Sequence, residues 1–198
     1  MQTPRKIFRA ESLIETIVAV TVIALGATGA AVLTRTALLG NELSQDRMLA
    51  LNLAREGTSA IGIIKDTNFI RYGGELDSCW NSLEGTSSDD CELTLIEDET
   101  YYILRADMET LGYYLEEAST DDVFDNEYQI YLCDFGGATL YANPGNDTVP
   151  YCTEETTFYR SIYITYPDAT SMKIVSEVGW TTAGKQKTIS ETAIISKF

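Results

Sequence analysis

The first third of the chain contains one long run of apolar residues. No charged residue occurs from Thr16 to Thr34. A helix from Leu13 to Thr34 would be about 33 Å long, which is close to the thickness of the hydrocarbon layer of a bilayer. The run is therefore long enough to cross a membrane as a single helix.

Beyond Arg35 the apolar residues recur at intervals of three, four and seven, with charged residues between them. These apolar positions are Leu39, Leu43, Ala50, Leu53, Ala54, Gly57, Ile61 and Ile64. No proline occurs between Ser12 and Ile64. The pattern predicts one continuous helix of about 53 residues, roughly 80 Å long, whose outer half lays one face on a folded head.

After Asp66 the pattern changes to short segments rich in Tyr, Thr, Ile and Val, separated by turn residues. Such segments are typical of antiparallel sheets. One hairpin is predicted to join 91–96 to 101–104, and a second is predicted to join 128–133 to 138–141 around two glycines.

Alternating apolar residues near the end of the chain predict half-buried strands over 158–166 and 172–180. A turn over 181–184 and a final strand over 187–195 follow. The predicted fold class is α+β: a long N-terminal α-helix, transmembrane in its first half, packed against a C-terminal antiparallel β-sheet head.

The charge of the chain is unevenly distributed. The formal net charge is −16 at pH 7, and Arg5, Lys6 and Arg9 place three positive charges before the apolar run, which leaves −19 for the rest. Because basic residues stay on the cytoplasmic side, residues 1–10 are predicted to be cytoplasmic and everything after Arg35 to be outside. Because the part of the chain after the apolar run is strongly acidic, it repels the phosphate groups of nucleic acids. No nucleic-acid partner is therefore expected at the head.

Histidine is absent from the chain. This removes the commonest general base and metal ligand, together with any Ser-His, Cys-His or HExxH arrangement. The acidic clusters at 89–90, 97–99 and 121–126 do not follow the spacing of a calcium-binding EF-hand and are interpreted as solvated loops. We expect no enzymatic activity, no cofactor and no metal site.

The four cysteines, Cys79, Cys91, Cys133 and Cys152, all lie beyond the apolar run, and none is spaced as CxxC. An even number of separated cysteines on the external side of a membrane indicates disulfides rather than zinc ligands. Three connectivities are formally open, and buried reduced cysteines are an alternative. We favour Cys79–Cys91 and Cys133–Cys152 because short loops close most readily.

The sequence RAESLIE at 9–15 follows a short basic leader and opens the apolar helix. It resembles the type III signal of type IV prepilins and type II secretion pseudopilins, in which a small residue, usually Gly, precedes the cleavage site and the mature chain begins Phe-Thr-Leu-Ile-Glu or close to it. Aligned on Glu15, Ala10 precedes the cut and Glu11 is the first mature residue. The departures from the family are Ala10 in place of Gly and Glu11 in place of an uncharged residue.

Glu15 stands near the cytoplasmic end of the apolar run, where a carboxylate costs about 2.5–3.5 kcal/mol if it enters the hydrocarbon core unpaired. The resemblance implies that the Glu15 carboxylate pairs with the N-terminal ammonium group of a neighbouring subunit. That ammonium group exists only after cleavage. It also makes Glu11 the candidate for N-methylation. The implied partners are prepilin peptidase, other pilin or pseudopilin subunits, and the cytoplasmic membrane.

The family resemblance implies a pilin-like organisation. Its parts would be a basic leader at 1–10, a transmembrane and polymerisation helix at 11–34, an amphipathic helix half at 35–66, and a β-rich head at 67–198. The layout looks most like a minor pilin or minor pseudopilin. Such a protein spans the bacterial cytoplasmic membrane once, with its head outside, and then joins an extracytoplasmic or cell-surface filament.

Two other interpretations stay open. The first is a single-span membrane protein that is never processed and displays an extracytoplasmic binding head. The second is a secreted enzyme whose signal is removed near Ala31, because 27–31 offers small residues to signal peptidase. The lack of histidine and of any nucleophile–base pair weighs against the enzyme.

Overall fold

The computed structural model describes residues 13–72, 79–83, 95–107, 112–135, 137–144, 152–182 and 184–197. In chain order, the helix and strands are α1 Leu13–Arg71, β1 Thr100–Asp107, β2 Gly112–Glu117, β3 Gln129–Phe135, β4 Ala138–Ala142, β5 Cys152–Asp168, β6 Ser171–Thr182 and β7 Lys185–Ser196. A short 3-10 helix, Asn126–Tyr128, precedes β3. The fold is α+β, with a long apolar N-terminal helix packed against an antiparallel sheet, as the sequence predicts.

The chain divides into two compact units, Met1–Ser44 and Gln45–Phe198. All residues of α1 that the structure describes in the first unit are exposed. In the second unit α1 buries one stripe of residues at helical spacing, which is Ala50, Leu53, Ala54, Gly57, Ala60, Ile61, Ile64 and Asn68. The predicted stripe is confirmed from Ala50 onward, whereas Leu39 and Leu43 belong to the first unit and are exposed.

The central strand of the sheet is β5. One of its edges pairs with β6, and β7 pairs with the far edge of β6. The other edge of β5 is shared, because its first part pairs with β3 and its later part pairs with β1. Strand β4 continues the sheet from β3, and β2 continues it from β1. Within the described residues, the sheet therefore ends in β7 on one side and in β2 and β4 on the other.

The predicted hairpin of 128–133 with 138–141 is confirmed as β3 and β4. Phe135 pairs with Ala138, so the connection is a two-residue turn, and Gly137 has a φ of 90°, which a side chain would strain. The last three strands are confirmed as well, because the inward positions of β5 and β6 that the alternation predicts are buried or half-buried.

The predicted hairpin of 91–96 with 101–104 is wrong in the part that the structure describes. One edge of β1 pairs with β2 and the other pairs with β5. Neither edge is left for the preceding segment, and Leu95 instead forms an isolated bridge with Ser82. Residues 91–94 lie outside the described residues. Strand β2 was not predicted.

The core lies between α1 and one face of the sheet. Ile61 and Ile64 meet Ile162, Ile164 and Ile174 in one cluster, and Leu53 and Ala54 meet Phe158, Val178 and Trp180 in a second cluster nearer the start of this unit. Burial of these side chains supplies most of the favourable free energy of the unit, at about 25 cal/mol for each Å² of apolar surface.

The opposite face of the sheet is partly covered by the segment before β3. Val123 is buried, and the ring of Phe124 tilts against Tyr159 at a centroid distance of 5.8 Å. Both side chains lie over Gly179, where an added Cβ would come within 3.0 Å of the Phe124 ring and 3.2 Å of Val123. Glycine at 179 therefore lets this segment lie directly on the strand.

Candidate functional site

Of the predicted site residues near the start of the chain, Glu15 belongs to the residues that the structure describes, and the others do not. Ala10 and Glu11, the predicted cleavage and N-methylation positions, lie outside the described residues. Glu15 lies in the first turn of α1. No described residue forms an ion pair with it. The first turn of a helix has a partial positive charge, which favours a carboxylate there by about 0.3–1 kcal/mol in water.

The surface of α1 that follows Glu15 is formed by large apolar side chains. Leu13 is 74% exposed, Ile23 is 70% exposed and Leu33 is 71% exposed. The helix is long and apolar enough to cross a membrane on the grounds of length and composition. Apolar surface of this extent is expected to be covered by lipid or by other apolar helices.

The polar groups of this stretch are satisfied within the helix itself. The hydroxyl groups of its threonines donate hydrogen bonds to carbonyl oxygens three or four residues earlier. The distances are 2.9 Å from Thr16 to Leu13, 2.8 Å from Thr21 to Ile17, 3.0 Å from Thr28 to Ala24 and 3.0 Å from Thr34 to Ala30. Such bonds let hydroxyl groups enter a lipid layer without an unpaired donor. Among the described residues of this stretch, Glu15 is then a charged side chain for which the helix itself supplies no ion-pair partner.

In the second unit, the backbone of α1 lies close to the sheet at Gly57. A Cβ at this position would overlap the hydroxyl oxygen of Ser176 and lie 3.0 Å from both the Ser176 Cβ and the Ile162 Cδ1. Ser176 is fully buried in β6, and its hydroxyl has no hydrogen-bond partner among the residues that the structure describes. Glycine at 57 thus allows the helix backbone to lie against the side chains of the sheet.

A buried charge cluster ties α1 to the sheet one residue before this contact. The Arg160 side chain, on β5, is 2% exposed and lies 3.5 Å from a carboxylate oxygen of Glu56. It also donates a hydrogen bond of 3.2 Å to the Leu53 carbonyl oxygen. The Tyr113 hydroxyl of β2 donates a 2.9 Å hydrogen bond to the other oxygen of Glu56. The cluster therefore joins the helix to two strands that are not neighbours in the sheet.

The electrostatics of this cluster follow from burial. Burial, and then the negative charge of Glu56, raise the pKa of the Tyr113 hydroxyl to about 12. Burial lowers the pKa of the Arg160 guanidinium, and the Glu56 carboxylate opposes that shift. An arginine keeps its proton under these conditions, so the cluster is an ion pair between the buried Arg160 and the partly exposed Glu56, with a neutral phenol donor. Its members come from three separate elements, so local periodicity in the sequence does not reveal the cluster.

The end of α1 is held by a polar contact. Asn68 is 1% exposed, and its amide donates a hydrogen bond of 2.8 Å to the Ser82 carbonyl oxygen and one of 3.4 Å to the Trp80 carbonyl oxygen. Trp80 packs edge-on against Tyr166 at a centroid distance of 6.2 Å. These contacts fix the segment after the helix to the sheet.

The cysteine predictions have different outcomes. Cys133 and Cys152 form a disulfide between directly opposed residues of β3 and β5, as predicted. Cys79 is fully buried and disulfide-bonded. Cys91 lies outside the described residues, so the pairing of Cys79 with Cys91 stays a prediction.

The acidic clusters serve local backbone contacts where they are described. Asp125 accepts a hydrogen bond from the Glu127 N–H, and the Glu127 carboxylate accepts hydrogen bonds from the Ser119 and Thr120 N–H groups. No group of three or more histidine, cysteine, aspartate or glutamate side chains in the described part of the chain is placed to hold a metal ion.

A scan against protein-family models and searches of curated proteins and of solved structures each found no match.

Proposed function

We propose that this protein is a structural subunit of a type IV pilus-like or pseudopilus filament. In this proposal, prepilin peptidase cuts after Ala10, and the new N-terminus at Glu11 is the site of N-methylation. The subunit then assembles through the apolar surface of α1. The protein has no catalytic role, and its partners are other pilin or pseudopilin subunits, the peptidase and the cytoplasmic membrane.

The observation that carries the proposal is the exposed helix surface with Glu15 at its beginning. Its apolar side chains are exposed in the described part of their own unit, and its threonine hydroxyls are satisfied within the helix. One carboxylate is left, and the ammonium group that cleavage would create at Glu11 has the opposite charge. Pairing of the two groups between subunits would remove the cost of an unpaired charge in a low-dielectric layer.

Membrane anchoring is the coarser part of this proposal, and the long apolar helix is consistent with it. Before assembly, the protein would cross the bacterial cytoplasmic membrane once, with residues 1–10 inside and the head outside. The disulfide between Cys133 and Cys152 favours an oxidising compartment for the head. The competing function is a membrane-anchored extracytoplasmic binding protein that never enters a filament, and the helix alone is equally compatible with it.

The test replaces Glu15 by alanine in the full-length protein. Membrane insertion and cleavage after Ala10 are expected to continue, because the change makes the segment more apolar and leaves the cleavage site intact. The amount in filaments is expected to fall by about tenfold or more, since the N-terminal ammonium loses its partner. The side chain of Glu11 is adjacent to that ammonium and limits the defect.

Cell-surface shearing followed by immunoblotting, compared with the membrane pool, measures the effect. The matched control is Glu42→Ala, which removes an exposed glutamate from the same helix beyond the apolar run. The control should leave the sheared fraction unchanged. Equal sheared fractions for Glu15→Ala and the natural protein would reject the assembly role of Glu15, and a natural protein that is confined to the membrane would favour the anchored binding protein.

A further inference from the structure

The disulfide between Cys133 and Cys152 lies in a part of the sheet that is built from β3, β4 and the first residues of β5. Strand β6 pairs with β5 from Phe158 onward, and among the described residues no strand other than β3 pairs with β5 before that point. We call this part the disulfide-linked segment. It consists of residues 132–135, 138–140 and 152–155.

The disulfide-linked segment has a small apolar cluster of its own. Its described buried side chains are those of Cys133 and Cys152, which form a cluster with Ala142. That cluster is separate from the two clusters between α1 and the sheet. Leu140 on β4 is 41% exposed. The described side chains therefore supply little apolar burial to oppose separation of these strands.

The backbone pairing beside the disulfide is irregular. Cys133 is opposite Cys152, whereas Leu132 is opposite Glu154, so the register shifts by one residue between the two pairs. An irregularity of this kind leaves one residue unpaired and disrupts the ladder locally. The hydrogen bonds between β3 and β5 are accordingly weakest where the disulfide joins the two strands.

The charges of the segment also oppose its closure. Asp134, Glu154 and Glu155 are exposed, and the segment contains no basic residue. Repulsion among exposed charges of one sign is modest and is screened by salt, but it favours separation of the strands. Among the described contacts of this segment, the covalent bond is therefore the one that holds β3 against the start of β5.

Both ends of the β3–β4 hairpin are anchored independently of the disulfide. Ile130, which precedes the segment on β3, is fully buried in the cluster that contains Phe158 and Trp180. Asn143, which follows β4, is 3% exposed, and its amide donates a hydrogen bond of 2.8 Å to the Glu127 carbonyl oxygen. These contacts set the limits within which the segment can open.

We propose that the Cys133–Cys152 disulfide is a redox switch: its reduction releases the disulfide-linked segment as a local unit, while α1 from Ala50, β6 and β5 from Phe158 stay folded. The two cysteines are 19 residues apart in the sequence. Loss of a cross-link that closes a loop of this length raises the equilibrium constant for opening by about a hundredfold on the chain-entropy model. The inference goes beyond the proposed filament function and does not depend on it.

The reductant is a dithiol. Cys152 is 8% exposed and Cys133 is fully buried, so the first thiolate of the dithiol is expected to attack the Cys152 sulfur. This step breaks the S–S bond, forms a mixed disulfide on Cys152 and releases Cys133 as a thiolate, which takes up a proton. The second thiolate of the dithiol then attacks the reductant sulfur of the mixed disulfide. The reductant leaves as a disulfide, Cys152 takes up the second proton, and two electrons have passed to the protein.

The state of the switch follows the compartment. The cytoplasm keeps thiols reduced, whereas compartments outside the cytoplasmic membrane allow disulfides to form. In the orientation proposed above, the segment therefore closes after the head has crossed the membrane.

The test measures backbone hydrogen exchange by mass spectrometry on the full-length protein in detergent, before and after dithiothreitol. Reduction is expected to speed exchange in the disulfide-linked segment by about tenfold to a hundredfold and to change exchange over residues 160–180 by less than about twofold. Alkylation of the released thiols with iodoacetamide, followed by peptide mapping, shows whether the bond was cut.

Cys79 is also disulfide-bonded, so a variant has to separate the two bonds. C133A with C152A lacks the bond between β3 and β5 and keeps Cys79. This variant should show fast exchange in the disulfide-linked segment without any reductant. Dithiothreitol should then cause no further change in that segment, and its remaining effect should lie around Cys79.

Three outcomes would overturn the proposal. Slow exchange in the segment after confirmed reduction would mean that other contacts hold the strands together. Fast exchange that extends through residues 160–180 would mean that the disulfide supports the whole sheet and not a local unit. A Cys133–Cys152 bond that resists dithiothreitol in the folded protein would be a permanent structural bond and not a switch.

Discussion

The close approach of α1 to the sheet at Gly57 predicts an unusual result for a glycine in a helix. Replacement of a helical glycine by alanine ordinarily stabilises a protein by about 0.5–1 kcal/mol. At Gly57 the new Cβ would overlap the Ser176 hydroxyl, and rotation of that hydroxyl would still leave contacts of 3.0 Å to the Ser176 Cβ and the Ile162 Cδ1. Overpacking of this kind costs about 1–3 kcal/mol. We therefore expect Gly57→Ala to lower the free energy of unfolding by about 1–2 kcal/mol.

The assay is urea unfolding of the fragment Gln45–Phe198, followed by circular dichroism. Gly62→Ala is the matched control, because the nearest atom to its new Cβ would be the Ile195 Cδ1 at 4.0 Å. The control should be stabilised by about 0.5–1 kcal/mol. Ser176→Gly removes two of the three contacts and should restore part of the stability of Gly57→Ala in a double-mutant cycle. Equal stabilisation by Gly57→Ala and Gly62→Ala would refute the close-approach argument.

Three further predictions follow from the head. A fragment that begins at Gln45, or one that begins near Arg35, should be a soluble, folded α+β monomer; gel filtration and circular dichroism would check this, and an aggregated or unfolded fragment would contradict a separable head. Arg160→Ala should lower the free energy of unfolding of that fragment by about 1–3 kcal/mol, because the buried Leu53 carbonyl oxygen loses its hydrogen-bond donor and Glu56 loses its ion-pair partner; an unchanged free energy of unfolding in urea would contradict these contacts. The folded state raises the pKa of Tyr113 from 10.0 to about 12, so its contribution to stability is present below pH 10 and is lost as the pH rises toward 12; Tyr113→Phe should flatten the dependence of stability on pH over this range, and an unchanged slope would refute the assignment.

The sequence alone predicts those elements in which the buried residues recur at a regular interval. Residues of α1 from Ala50 to Ile64 face the sheet at helical spacing, and Phe158, Ile162 and Ile164 face the helix at strand spacing. Each pattern has a direct physical cause, since one face of the element meets the core. The turn at Gly137 was equally visible in the sequence, because it lies between two such segments.

The pairing of strands that lie far apart in the sequence could not be predicted from local periodicity. The contact of 100–102 with 162–164 depends on which edge of β5 is free, and local periodicity does not contain that information. Strand β2 lacks a regular alternation, because Tyr113 and Tyr114 are adjacent and both half-buried. A charged residue at an inward position of an alternating strand, as at Arg160, was the signal that could have revealed the buried ion pair.

The candidate assembly site could be predicted only in part. Glu15 stands out because a carboxylate at the edge of an apolar run requires a partner, and that argument needs no fold. In the proposed function the partner lies in another subunit, so a single chain does not contain it. The open edge of β7 became visible only with the sheet order, since local periodicity does not show which strand lies last in the sheet.

The identity of the first residue in material sheared from the cell surface tests the proposed function most directly. Intact-mass and N-terminal analysis of the sheared and membrane-extracted protein would provide it. A filament subunit cut by prepilin peptidase should begin at Glu11 in both fractions, with a further mass of one methyl group where N-methylation has occurred. Retention of Met1 in protein confined to the membrane, or a chain that begins near Ala31, would contradict the filament function.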